Sequence, residues 1–292
     1  MSPSRIFALT ALAMIAFACN SLLCRAALKE SNIDPASFTT IRLVSGAVVL
    51  WLLVRMKSGY RAGRGDAVSA FGLLAYAAAF SYAYVSLTAA TGALLLFGAV
   101  QATMIGYGIW SGERLLKVQL AGLLLAIGGF VGLMLPGLSA PPLLGALLML
   151  LAGIAWGIYS LRGKGVEDAI GVTAGNFLYA LPLAIVLSLL MLKKAHLNAA
   201  GFWYAVFSGA LASGLGYALW YAALRGLKAT SAATAQLSVP VIAAVGGLVF
   251  LGEPITFRLA LASFAILGGI ALVVLDRHGI SGGAQVAPRK RP

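Results

Sequence analysis

Eight carboxylates, two histidines and two cysteines are the residues with which this 292-residue chain could do chemistry. The carboxylates are Glu30, Asp34, Asp66, Glu113, Glu167, Asp168, Glu253 and Asp276, and the histidines are His196 and His278. General acid-base work needs such groups at a shared depth, a structural metal needs four at ligand spacing, and a serine nucleophile needs a base within hydrogen-bond reach. None of these patterns occurs, nor does a Walker-type glycine loop. The reading is of a chain that is not an enzyme and takes no metal or cofactor. Cys19 and Cys24 lie about 140° apart around one helix and cannot easily pair. One regularity remains: Glu113 in "SGER" and Glu253 in "LGEP" recur at matching positions of two stretches of the chain.

The elements that carry these groups follow from composition. The chain is 61% hydrophobic and 10% charged, whereas soluble domains hold about 25% charged residues. Ten apolar stretches are each long enough to cross a hydrocarbon core of about 30 Å. They run from Arg5 to Ala27, Asp34 to Val54, Asp66 to Leu87, Ala90 to Ser111, Lys117 to Leu135, Pro141 to Leu161, Gly171 to Leu192, Ala199 to Leu224, Thr230 to Leu251 and Thr256 to Leu275. Each must be a helix, because an open strand edge leaves backbone groups unsatisfied in lipid. The fold class is therefore an all-α integral membrane protein, with a disordered tail over 277–292. All eight carboxylates and both histidines fall at span ends or in loops.

A shift of 140 residues superimposes Ala89 on Ala229, Gly112-Glu113 on Gly252-Glu253, and Gly128-Gly129 on Gly268-Gly269. A shift of 139 superimposes Phe17 on Trp156 and Ser21 on Ser160. These matches divide the chain into two five-helix repeats, 1–138 and 139–276. Five is odd, so the second repeat must cross the membrane in the opposite sense, an inverted repeat of the kind that opens a midplane site to either side in turn. Of the 21 basic residues, fifteen fall on one side and five on the other, with Arg42 inside the second span. The bias predicts a multi-pass protein of the cell's inner (plasma) membrane with both termini in the cytoplasm. The net charge of +13 then reflects topology, and its spread over short loops argues against a nucleic-acid partner.

Ten spans in two halves, the "GER"/"GEP" turn after the fourth helix of each, the double glycine that follows, and "LSVPVIAAVGGLVFLGEPI" in the ninth span resemble the drug/metabolite transporter superfamily. In particular they resemble its ten-helix EamA-type members, and among those an amino-acid exporter of the YddG type. The resemblance implies a carrier that exports small metabolites, foremost aromatic or other neutral amino acids, by alternating access around a cavity between the repeats. A multidrug, nucleoside or other metabolite exporter of the same fold is the alternative within the family. A channel or scaffold is the alternative outside it. In one respect the chain departs from symmetry: Pro240-Val241 of the ninth span faces Val100-Gln101 in the fourth, so the halves are expected to bend differently.

With no Asp, Glu or His at mid-span to relay protons, the expected driving force is the substrate's own gradient. A binding pocket would fall to Asn20, Tyr82, Gln101, Trp156, Tyr159, Tyr217, Trp220, Tyr221 and Gln236: rings for the apolar part of an amphipathic solute, amides and hydroxyls for its polar ends. The competing reading is that the amides tie helices together and the rings form an interfacial belt. Arg42, the single mid-span charge, could meet a substrate carboxylate, hold a cavity-facing network, or snorkel. Gly112 and Gly252 suit left-handed helix ends. Glu113 and Glu253 would then open the following helices, with Pro254 at a first helical position; a gating pair of Glu253 with Arg258 is the alternative. The glycines of "LLAIGGFVGL" and "FAILGGIALV" predict that the fifth and tenth helices pack together or against a second copy of the chain in a homodimer. The expected partners are otherwise a small-molecule substrate and the lipid bilayer.

Overall fold

The computed structural model describes residues 1–56, 65–112, 115–137, 140–163, 166–227 and 229–275. Glu113 and the 277–292 tail lie outside these residues. Among the described residues every regular element is helical. The first seven are α1 (Pro3–Glu30), α2 (Pro35–Arg55), α3 (Ala67–Tyr84), α4 (Ala89–Trp110), α5 (Lys117–Met134), α6 (Leu143–Arg162) and α7 (Ala169–Leu190). After a short 3-10 turn come α8 (Ala199–Phe207), a π-helical segment (Ser208–Leu215), α9 (Gly216–Leu224), α10 (Ala229–Gln236), α11 (Ser238–Leu251) and α12 (Phe257–Leu275). The α8–α9 stretch forms one span and α10–α11 another, so ten described helices are long and apolar enough to cross a bilayer. The chain is a multi-pass membrane protein. Large apolar side chains such as Phe7, Phe264 and Phe250, each at least 76% exposed, coat the outside, where lipid tails take the place of a core.

Carboxylates and small polar residues terminate these helices. Asp34 accepts from the backbone N–H of Ala36 and Ser37 at 3.0 and 2.9 Å, Asp66 from that of Ser69 at 3.0 Å, and Thr88 from that of Thr91 at 3.2 Å. Each satisfies a donor that the first turn leaves unpaired. Asp34 also accepts from the His196 N–H at 3.0 Å, tying the loop before α8 to the start of α2.

Two spans are not the plain helices expected. In the ninth, the helix breaks between Gln236 and Ser238. Pro240 has no N–H to give the Gln236 carbonyl, and its ring crowds that oxygen, so the break falls four residues before the proline. The fourth span has no such proline and runs unbroken. In the eighth span, "SGALASGL" adopts the π form. Its small residues let α2 approach closely: a Cβ at Gly209 would strike the Arg42 carbonyl and the Ser45 hydroxyl, and one at Gly214 would lie 3.1 Å from Val49.

Packing follows a regular scheme. α5 pairs with α12, α2 with α7, and α4 with α11. α1 packs on the eighth span and on α11, as α6 packs on α3 and α4; α2 meets the π segment, as α3 meets α7. Exchanging the first five spans for the last five maps this set of pairs onto itself. The α5–α12 contact rests on glycine: a Cβ at Gly122 would sit 2.6 Å from the Gly269 carbonyl oxygen, so the two backbones touch directly.

Candidate functional site

Where the two halves meet, deep in the bundle, is a small cavity of about 20 Å³, room for about one water molecule. Phe17 and Asn20 of α1, Tyr76 and Phe80 of α3, and Leu96 and Phe97 of α4 form one part of its wall. Trp156 of α6, Ala212 of the π segment and Tyr217 of α9 form the rest. Trp156 stacks between Tyr159 and Tyr217, with centroids 5.3 and 5.0 Å away and planes 20° and 24° apart. Tyr76 lies tilted against it at 4.9 Å. Offset stacks of this kind favour one another by about 0.5–1.5 kcal/mol beyond simple burial. The wall is therefore held in shape by ring-on-ring contacts that a flat apolar solute could replace.

A polar cluster adjoins the rings. Asn20 Nδ2 donates to the Tyr76 hydroxyl at 3.2 Å, and Asn20 Oδ1 accepts from Ser208 at 2.7 Å. Arg42 Nη2 donates to the same tyrosine oxygen at 2.9 Å, and its Nε donates to Ser213 Oγ at 3.2 Å. The guanidinium carbon lies 5.1 Å from the Tyr76 ring centre and 4.9 Å from that of Phe80. Arg42 is only 2% exposed, and its Nη1 has no hydrogen-bond acceptor among the described residues. Both serines belong to the π segment, whose widened turn carries them towards α1 and α2. Non-α turns of this type recur at functional sites.

The two ends of the bundle are tied differently. At one, Arg25 Nε and Glu253 Oε1 form an ion pair of 2.8 Å. Arg25 Nη1 also donates to the Tyr84 and Val85 carbonyls at the end of α3, and Glu253 Oε2 accepts from the Ala89 N–H at the start of α4. At the other, Arg162 Nη2 meets Asp66 Oδ1 at 3.0 Å with both side chains close to half exposed. Hydrogen bonds from Ser69, with the nearby Arg162 guanidinium, hold the Asp66 carboxyl below the usual carboxylate range. Asn176 links this end to the aromatic wall: its Oδ1 accepts from the Asp66 N–H at 2.9 Å, and its Nδ2 donates to the Tyr159 hydroxyl at 3.2 Å.

Of the residues singled out from sequence, Asn20, Trp156 and Tyr217 line the cavity, and Tyr159 stacks directly behind Trp156. Trp220 packs edge-on to Phe17 at 6.1 Å, one layer further out, and Tyr221 is half-buried beside the core. Tyr82, Gln101 and Gln236 do not line it. Tyr82 stands six residues after Tyr76, about 120° around α3, and so leaves the face that Tyr76, Phe80 and Tyr84 share. Gln101 is buried one turn past Phe97, with Nε2 unpartnered among the described residues. Gln236 ends α10 at the proline break.

At the hairpins, Gly112 and Gly252 are left-handed, with φ of 93° and 61°. Glu253, however, does not open the next helix: it serves the N-terminus of α4 and pairs with Arg25. Nor is Pro254 a first helical residue. Thr256 Oγ1 accepts from the Leu259 N–H at 3.2 Å and starts α12 at Phe257, leaving Pro254 in the loop. Arg258 donates instead to the Leu135 carbonyl.

Tyr76, Ser208, Ser213 and Asn176 join the residues that the sequence singles out. Tyr76 shares a helix face with Phe80 at i, i+4, which was a usable signal. The serines were not recognisable, because the π register that aims them has no sequence pattern of its own.

A second, larger space lies on the lipid-facing surface. It is an apolar groove of about 680 Å³ between α1, the eighth span and α11, with Glu30 at its rim. Ala212 lines both this groove and the central cavity.

Residues 143–275 match the profile described as the EamA-like transporter family. An uncharacterized protein of Pseudomonas aeruginosa is 56% identical, with 96% of this chain and 98% of that protein covered. A probable terminal-alkyne amino-acid exporter of Streptantibioticus cattleyicolor is 29% identical, with 70% of each chain covered. Among solved structures, one crystal structure superimposes with a TM-score of 0.67 at 19% identity, covering 95% of this chain and 99% of the other; it shares the fold.

Proposed function

Since the chain belongs to the EamA-like transporter family, we propose that it exports small metabolites, aromatic or other neutral amino acids foremost, by alternating access around the cavity between its halves. The observation that carries this reading is the composition of the cavity wall. Rings and one amide from α1 and α3 face rings from α6 and α9, the lining that an amphipathic solute of one apolar body and few polar groups would need. The relative in Streptantibioticus, a probable exporter of terminal-alkyne amino acids, supports the choice of substrate. The exchangeable packing of the two sets of five spans supports an inverted repeat, in which the same contacts can be remade on the opposite side.

At about 20 Å³ the cavity is too small for any metabolite, so the occupied state requires the halves to part. No carboxylate or histidine lines the cavity. The reading is therefore of a facilitator or exchanger driven by the cargo's own gradient, in the inner membrane with both termini cytoplasmic. Counterflow in liposomes tests it. Purified protein with unlabelled amino acid inside should accelerate entry of labelled amino acid, as a carrier does and a channel does not. Uphill accumulation driven by an imposed pH gradient alone would overturn the driving force, and absence of trans-stimulation for every solute tried would overturn the carrier. Substitution of Trp156 by Ala should slow counterflow more than substitution of Tyr82, which stands off the cavity.

A further inference from the structure

Arg42 is the one charged side chain among the described residues that is buried within a span, and among those residues it forms no ion pair; the pairs described are Arg25–Glu253 and Arg162–Asp66. Its hydrogen-bond partners, Tyr76 and Ser213, are neutral, and the rings of Tyr76 and Phe80 supply its remaining stabilisation. A buried cation without an anion is costly, several kcal/mol after every local relaxation, and charges inside spans are rare for that reason. Hydroxyls and ring faces offset part of the cost. They leave Nη1 without an acceptor.

Tyr76 joins this unsatisfied cation to the cavity. Its ring forms part of the cavity wall, while its hydroxyl holds both Arg42 and Asn20. When the halves part to admit a solute, an anionic group displacing the Tyr76 hydroxyl would meet two donors, Nη1 and Nη2, in the planar fork that matches a carboxylate. We infer that Arg42 is the anchor for a substrate carboxylate, and that the cargo class is small monocarboxylates with an apolar or aromatic body. This rests on the central cavity being the transport site. It also narrows the cargo. The cavity wall holds no Asp or Glu to receive an ammonium, and the Asn20 amide oxygen is already engaged by Ser208. A substrate's amino group is dispensable, so keto, hydroxy and simple aryl-alkanoic acids are carried alongside amino acids. Cationic amphiphiles and uncharged amides are not.

The test uses the full-length protein in liposomes and a matched set of probes: phenylalanine, 3-phenylpropionate, 3-phenylpropanamide and phenethylamine. Counterflow of labelled phenylalanine should be inhibited by the two carboxylates at similar concentrations, with the amide and the amine at least about tenfold weaker, roughly 1.4 kcal/mol. Arg42→Lys should keep a preference for carboxylates, whereas Arg42→Gln should lose it. In detergent, 3-phenylpropionate should raise the melting temperature of the parent, 3-phenylpropanamide should not, and Arg42→Gln should lose that shift. Should Arg42→Gln fail to fold, the parent's carboxylate-over-amide preference still tests the proposal, since equal inhibition by amide and carboxylate would overturn it.

Equal inhibition by amide and carboxylate, with counterflow intact, would overturn the anchor and leave the carrier standing. Absence of counterflow for all four probes, together with no ligand-dependent melting shift, would overturn both.

Discussion

Arg25 and Glu253, 228 residues apart in the chain, form an ion pair of 2.8 Å with side chains only 11% and 5% exposed. Around it four elements meet. Arg25 projects from α1 to the end of α3, and Glu253 reaches from the loop after α11 to the first N–H of α4. Both charges are held by several contacts, so this end of the bundle is closed by directional contacts as well as by packing.

Glu253→Gln should therefore be strongly destabilising. It leaves Arg25 without its counter-charge and weakens the acceptor at the α4 N-terminus, where the helix dipole favours an anion. Breaking one side of a buried pair costs about 3–5 kcal/mol. The apparent melting temperature in detergent should fall clearly, and the double variant with Arg25→Gln should fall by less than the sum of the two singles. A Glu253→Gln protein that melts with the parent would show the pair to be incidental.

Asp66 makes the opposite case, being close to half exposed. Its carboxyl is held below the usual range by Ser69 and Arg162, so the unfolded chain takes up the proton more readily than the folded one. The sign follows: its contribution is complete above the unfolded carboxylate value of about 3.9 and disappears as pH falls through the lower folded value. Asp66→Asn should melt below the parent by a constant margin from pH 8 to about 5, and the margin should close on further acidification. A margin that widens in acid would contradict the direction of the shift. Because asparagine caps a helix about as well as aspartate and the ion pair is exposed, the margin should be small, below about 1 kcal/mol.

Glycines divide by what surrounds them. Gly209→Ala forces a methyl group onto the Arg42 carbonyl and Ser45, and overpacking of this sort costs about 1–3 kcal/mol. Gly106 in α4 has nothing within 4 Å of a built Cβ, so Gly106→Ala should be neutral or stabilise by up to about 1 kcal/mol through reduced backbone freedom. Thermal unfolding of the two variants side by side measures the contrast.

Pro240→Ala restores an N–H that can bond the Gln236 carbonyl and removes the clash that separates α10 from α11. The ninth span should straighten, the melting temperature should hold or rise, and counterflow should slow several-fold if the break is used in opening. Unchanged counterflow in a stabilised variant would make the break a passive consequence of the proline.

Much was legible in the amino-acid order. In lipid, backbone hydrogen bonds must close within each segment, so apolar runs of sufficient length become helices whatever surrounds them. Ten spans, their order and the unequal bending at Pro240 follow from such local rules; the double glycines of α5 and α12 mark close-packing faces but leave open whether each meets the other or a second copy. Long-range decisions were not legible, because they depend on which faces meet. Glu253 reads locally as the start of a helix. It is recruited by Arg25 and α4 because folding brings two positions 228 residues apart in the chain to one place. Tyr82 and Tyr76 are equivalent in composition, and packing against α6 selects Tyr76. The register of the π segment, which aims Ser208 and Ser213 at Asn20 and Arg42, arises where small residues allow α2 to press against the eighth span. A short polar side chain joins a site only when a neighbouring backbone comes that close, and closeness is a property of the packed bundle.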